Sequence, residues 1–271
     1  MASGLRQRVF TALALAAVVL GVLLAMPPLA AVAVVAVIVV LGGAWEWAGF
    51  AGWTGPAGRG AYAAAIAALA ALAWHWTSDP AHLATFLRAT AAWWAVGLLW
   101  VLVAPGRGGR PAAAISGVAV LVPAAIGLAR TALVVPYGQA LLLFLIILIA
   151  AADVGAYFGG RLFGRHKLAP AVSPGKTWEG FVAGMLAAAA AAACGAALFD
   201  VPVAPWLAVC IPVALVSVVG DLVESMWKRR AGLKDSGGLL PGHGGVLDRI
   251  DSLTAAGPAF LLGLQAIGVA A

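Results

Sequence analysis

The sequence predicts an all-α, polytopic membrane helix bundle of about nine transmembrane helices, with its N-terminus cytoplasmic. Three observations carry this expectation. Of 271 residues, 64% are hydrophobic and only 10% charged, with a mean hydropathy of +1.04, whereas soluble domains average about 25% charged. Apolar runs of roughly 20 residues, the length that crosses the hydrocarbon core, recur along the chain. No alternating barrel pattern accompanies them, and lipid leaves helices or closed barrels as the only ways to satisfy a spanning backbone.

The spans are predicted at 9–25, 29–52, 61–76, 84–103, 112–129, 139–159, 179–199, 204–223 and 252–271. The first follows Arg6 and Arg8 and has small residues near Ala31 and Ala33 after it, as a cleavable leader would. Its apolar run exceeds the usual 7–15 residues of a leader, so it is read as a retained anchor. Trp53 closes the second span, Trp74 and Trp76 the third, Trp178 precedes the seventh and Trp206 opens the eighth. All five are expected as interfacial anchors. Trp93 and Trp94 lie inside the fourth span and are assigned to packing.

Before the fifth span, RGGRP at 107–111 reads as a hinge between an N-terminal helical region, 1–111, and a C-terminal catalytic region, 112–271. The second region is expected to carry cytoplasmic loops at 160–178 and 224–251. The Ala-rich run at 187–193 in the seventh span reads as a small-residue helix interface. Cys194 and Cys210, on adjacent spans and without metal-ligand spacing, read as two small buried apolar residues.

With the N-terminus inside, 14 of the 16 basic residues fall in cytoplasmic segments and only Arg88 and Arg130 outside, which is the asymmetry that sets topology. The sequence pI near 9.9 is thereby used up on orientation, and nucleic-acid binding is not expected.

Acidic residues divide the chain. Eight of ten, Asp153, Glu179, Asp200, Asp221, Glu224, Asp235, Asp248 and Asp251, lie between 153 and 251, and only Glu46 and Asp79 precede them. Carboxylates in or beside spans are costly and mark a site, so function is expected in the second half. Asp221, Glu224 and Ser225 stand at i, i+3 and i+4 and share a helix face; Asp248 and Asp251 repeat the i, i+3 step. Four carboxylates on two facing helix ends would repel strongly unless a cation sat among them. Hard oxygen ligands with several waters suit Mg²⁺, the usual partner of nucleotide phosphates. The plainer alternative is ordinary ion pairing, Glu224 with Lys228 and Asp248 with Arg249 or Lys234.

Gly237, Gly238, Gly242, Gly244 and Gly245 surround His243 and allow backbone amides to approach phosphate oxygens. His243 reads either as a structural hydrogen-bonding residue or as a donor to a phosphate or to a ligand carboxylate. SPGKTWEG at 173–180 is no Walker loop, which needs Gly where Pro170 stands and a preceding strand. Ser173 and Pro174 suit a helix start, Glu179 falls in its first turns, and Lys176 offers a point charge to an anion. Arg161, Arg165 and Lys167 are read as topology determinants.

The run ESMWKRRAGLKDSGGLLPGHGGVLDRIDS at 224–252 resembles the C-terminal signature of phosphatidate cytidylyltransferases, the CDP-diacylglycerol synthases. Ser225, Lys228, Arg229, Lys234, Asp235, His243, Gly244, Gly245, Asp248, Arg249 and Asp251 fall on it; Trp227 departs from the family's usual aliphatic residue or Phe. DVGAYFGGRLFG and SPGKTWEG resemble a second region of that family, so the likeness covers roughly 150–255.

The resemblance implies a bundle of about nine helices and the Mg²⁺-dependent reaction of CTP with phosphatidate to give CDP-diacylglycerol and pyrophosphate, in phospholipid biosynthesis. It implies Asp221 and Asp248 as metal ligands, with Glu224 and Asp251 around them or at a second cation, K⁺. Catalytic roles are expected for Asp221, Asp248, Lys176, Lys234 and His243. Substrate contacts are expected from Ser173, Lys176, Thr177, Ser225, Lys228, Arg229, Lys234, Asp235, His243, Gly244, Gly245 and Arg249. Such an enzyme would sit in the inner membrane with its site facing the cytoplasm, and the resemblance leaves a homodimer open. Two alternatives stay open. One is another CTP-dependent membrane lipid enzyme, a polyprenol or phytol kinase or an archaeal-lipid cytidylyltransferase; the other is a secondary transporter with an ion site between broken helices.

Overall fold

Prolines mark where several helices begin, because a residue at the first helical position needs no N–H partner. In the computed structural model, which describes residues 14, 16–240 and 244–270, helix α1 (Ala16–Ala25) is followed by α2 (Pro28–Phe50), α3 (Pro56–Trp76), α4 (Pro80–Val103) and α5 (Arg110–Thr131). Pro28, Pro56, Pro80 and Pro111 stand in the first turns of α2 to α5. Asp79 caps α4 by accepting from the Ala81 and His82 amides at 2.8 and 3.2 Å. Then come α6 (Gly138–Phe163), α7 (Trp178–Leu198), α8 (Val203–Arg230) and α9 (Leu247–Ala266).

Among the described residues, seven helices, α2 to α8, are long and apolar enough to cross a membrane. The first predicted span falls partly on residues 9–13 and 15, outside the described residues; its described part is the short α1. The last, expected over 252–271, is α9, which begins five residues earlier and carries Asp248, Arg249 and Asp251 in its first two turns.

The expected loops are shorter than the sequence suggested. Helix α8 continues to Arg230, so Glu224, Ser225 and Lys228 are helical; the Glu224–Lys228 pair and three basic residues in the last turn stabilise that extension against the helix dipole. Helix α6 likewise covers 160–163. Between α6 and α7 stands an antiparallel hairpin that the sequence reading did not anticipate, β1 (Lys167–Ala169) and β2 (Ser173–Thr177), pairing Lys167 with Thr177 and Ala169 with Ser173. Ser173 and Pro174 are therefore strand residues, and the helix start belongs to Thr177, whose hydroxyl accepts from the Gly180 amide at 3.1 Å.

Small residues let the helices touch. Gly155 and Gly159 on α6 face Ala183, Gly184 and Ala187 on α7, and Gly160 faces Gly180: a Cβ at Gly155 would stand 2.6 Å from that of Ala187, and one at Gly184 would stand 2.8 Å from the Ala152 carbonyl. These are two small-xxx-small stripes packed face to face. Gly220 on α8 does the same against the Asp251 carbonyl and Ala255 of α9, and Gly257 of α9 against Leu128 of α5. Buried residues from both sides of the 107–111 segment join one core.

Trp206 is wholly buried among Phe144, Phe199 and Phe260 rather than anchored at an interface. Trp53, Trp76 and Trp178 are exposed as expected, and Trp74 stacks under the Arg130 guanidinium at 4.7 Å. Cys210 is buried, but Cys194 is exposed on α7.

Candidate active site

The last three turns of α8, the first two of α9, the hairpin and the C-terminal half of α6 bring the acidic residues together. Lys176 on β2 meets Asp221 on α8 at 2.7 Å, and the Ser225 hydroxyl donates to the other Asp221 oxygen at 3.1 Å. One turn further along α8, Lys228 lies 2.7 Å from Asp248 of α9 and 3.1 Å from Glu224. Asp251 on α9 interacts electrostatically with Asp221, Lys176 and Lys228, and Glu224 interacts with Asp251 in turn.

Asp248 is the most fully engaged of these carboxylates. One oxygen takes Lys228; the other accepts the Ser236 amide, the Ser236 hydroxyl and the Gly245 amide, each at 2.9 Å. Gly244 adopts φ +83°, which turns the chain so that the next amide reaches that oxygen. The glycine-rich segment thus aims an amide at a carboxylate of this chain, whereas the sequence alone points such amides at phosphate oxygens.

Beneath Asp248 lies Glu46, only 1% exposed. Its carboxylate accepts the Ser236 hydroxyl at 2.9 Å and the Val246 and Leu247 amides at 3.0 and 2.8 Å. It therefore caps α9 from a different helix, α2, whose π-helical stretch Ala36–Gly43 precedes it. Gly42 and Gly43 pack directly on Val246 and Leu247. The site is accordingly not confined to the second half of the chain, as the distribution of acidic residues had suggested. The signal that could have found Glu46 was its position: a lone carboxylate inside an apolar run, which needs partners somewhere.

On the hairpin side, a cavity of about 570 Å³ is lined by Asp153, Arg161, Lys176 and Thr177 among small and apolar residues of α6 and α7. That volume suits a small-molecule site. Arg161, read from the sequence as a topology determinant, lies in this wall and donates to the Tyr157 hydroxyl at 2.8 Å. Asp153, absent from the expected site residues, faces the same space. Glu179 instead pins the hairpin: it accepts from the Arg165 and His166 amides and pairs with the His166 ring at 2.6 Å.

Arg229, Lys234, Asp235 and Arg249 are exposed. Asp235 lies beside Gly244. His243 lies outside the described residues. Ser173 is half-buried in β2, and Thr177, expected to touch substrate, lines the cavity while its hydroxyl accepts from the Gly180 amide.

Counting Asp153, Asp221, Glu224, Asp248 and Asp251 against Lys176 and Lys228, five carboxylates face two ammonium groups. Glu224 is 2% exposed, and neither of its oxygens receives an aligned hydrogen bond despite the nearby lysine. A buried carboxylate left in that state is costly. The donor set therefore fits an added hard cation. Among the described residues no three acidic, His or Cys side chains form a ready-made cage.

Comparison with known proteins gives a family model described as "Cytidylyltransferase family", which matches residues 6–267. A phosphatidate cytidylyltransferase of Pseudomonas aeruginosa is 41% identical over 271 residues, covering 97% of this chain and 98% of the relative. One of Haemophilus influenzae is 42% identical over 195 residues, 66% of this chain and 68% of that protein. One of Brucella suis is 48% identical over 124 residues, 45% of each chain.

Proposed function

The chain belongs to the cytidylyltransferase family, and from that premise we infer that it transfers the cytidylyl group of CTP to phosphatidate, releasing pyrophosphate and forming CDP-diacylglycerol for phospholipid biosynthesis. The geometric observation that carries the reading is the Lys176–Asp221 pair at 2.7 Å, beside a cavity with Asp153 and Arg161 in an otherwise largely apolar wall. A lipid phosphate needs cations at its head and apolar surface beside its glycerol and upper acyl carbons; this wall offers both.

The chemistry is a meeting of polyanions. An oxygen of the lipid phosphate attacks the α-phosphorus of CTP, a P–O bond forms, the bond to the β-phosphate oxygen breaks, and pyrophosphate departs with that electron pair. Phosphatidate is already ionised near neutral pH, so no strong general base is required, and positioning and charge compensation do most of the work. Lys176 is assigned to a substrate phosphate at the cavity. Arg161 is assigned to the lipid head. Arg229, Lys234 and Arg249, exposed after α8 and on the first turn of α9, are assigned to the CTP triphosphate.

We assign Mg²⁺ to Asp221 and Asp248, with Asp251 and Glu224 at a second cation, for which K⁺ is the proposal. When bound, the divalent ion would neutralise charge developing on the leaving oxygens. Lys228 meets one oxygen of Asp248 and Lys176 one oxygen of Asp221, so each lysine helps to orient its carboxylate. We place the site at the cytoplasmic face of the inner membrane, where basic residues concentrate and CTP is available.

Incubation of the purified protein with phosphatidate and CTP labelled at the α- or γ-phosphate tests the reaction. Lipid labelled only from the α position is expected; lipid labelled from γ would instead make the protein a kinase.

A further inference from the structure

A second cavity, of about 430 Å³, lies at the same end of the bundle but on another side of α8, lined by Thr54, Gly108, Gly109, Arg110, Trp227 and Arg230 among others. No acidic side chain lines it. Among the described residues neither guanidinium is paired with a carboxylate.

Arg230 is held in place: its guanidinium stacks on Trp227 at 4.9 Å, and its Nη1 is buried without a hydrogen-bond partner. The backbone is shaped around both arginines. Gly52 and Gly108 have φ of +85° and +109°; a Cβ at the first would stand 2.5 Å from Arg110 Nε, and at the second 3.0 Å from Arg230 Nη1. Helix α5 also begins here without a side-chain cap on Gly109, so its N-terminal dipole adds positive potential.

Two like charges held in one cavity, one with a buried unpaired N–H, are incomplete without an anion. We propose that this cavity is a second anion site, separate from the reaction centre, taking a phosphoryl group borne by a lipid headgroup at the membrane surface or by free phosphate. The planar guanidinium fork matches phosphate oxygens.

The full chain is assayed in two arms: inorganic phosphate titrated into detergent-solubilised protein, and phosphatidylglycerol retention in phosphatidylcholine nanodiscs followed by native mass spectrometry. Arg110→Gln and Arg230→Gln are expected to weaken binding roughly tenfold or more in whichever arm the wild type responds. Arg107→Gln, a neighbouring charge outside the cavity, keeps that binding. A response in the nanodisc arm identifies a headgroup; one in the solution arm identifies free phosphate.

Gly109→Asp guards against misfolding. Its φ is −102°, and a Cβ there meets only Pro111 Cδ, at 3.6 Å, so an aspartate fits, caps α5 and supplies an internal counter-ion. It should melt no lower than wild type and lose the anion. Wild-type binding in Gly109→Asp and in either arginine variant, or no binding by the wild type in both arms, overturns the proposal.

Discussion

The Ser236 hydroxyl stands 2.9 Å from Glu46, 190 residues away in sequence, and 2.9 Å from Asp248, tying a carboxylate of α2 to one on α9. A hydroxyl has one proton, so it donates to one of these carboxylates at a time. The Ser236 and Gly245 amides complete the hold on Asp248, while Glu46 fixes the first amides of α9. The position of Asp248 is thus set from outside its own helix.

Glu46→Gln replaces an acceptor-only group with one that presents N–H toward the Val246 or Leu247 amide. The expected loss is about 1–3 kcal/mol of stability, with turnover reduced at least tenfold, because Asp248 loses its orientation. Thermal unfolding and the cytidylyl-transfer rate, measured on the same sample, check this.

Lys228→Met leaves Glu224 and Asp248 without their shared cation in a region where Lys228 is 8% exposed. Removing one partner of a buried pair typically costs about 3–5 kcal/mol, so folded yield should collapse, while Lys228→Arg retains much of it. Size-exclusion profiles of the two variants decide the matter.

Lys176→Gln should behave differently. Its pair with Asp221 is about a quarter exposed on each side, and such pairs contribute at most about 1 kcal/mol. Turnover should nonetheless fall on the order of 100-fold, since the lost charge faces substrate. A melting temperature within a few degrees of wild type together with a low kcat is the expected signature.

Asp248→Asn should abolish turnover while the protein stays inserted. Its amide can still accept at one oxygen but puts N–H toward either Lys228 or the Ser236 and Gly245 amides. Stability should therefore drop by about 1–3 kcal/mol, unlike the Lys176 variant. Unfolding and activity measured in parallel separate the two residues.

Much of this was legible in the chain. Apolar run length located the spans, and the acidic residues of α8 and α9 stood out because carboxylates are rare in lipid. What sequence could not show was partnership at a distance. The Glu224–Lys228 pair is visible as i, i+4, but Lys228 with Asp248, expected instead to pair with Arg249 or Lys234, depends on how two helices cross. Glu46 sat in the wrong half of the sequence to be noticed. The hairpin escaped because Ser173 and Pro174 resemble a helix start locally, and only its pairing with Lys167–Ala169 makes that segment a strand. Trp206 looked like an interfacial anchor until three phenylalanines from α6, α9 and the turn after α7 surrounded it.

The most direct measurement is CDP-diacylglycerol formation by purified wild type and Asp221→Asn across a Mg²⁺ titration, with phosphatidate and CTP saturating. No product is expected without the divalent ion, a saturable rise with it in the wild type, and at least a 100-fold lower rate in the variant that excess Mg²⁺ restores only in part. Full turnover in the presence of a chelator, or a wild-type Mg²⁺ response from Asp221→Asn, would contradict this expectation.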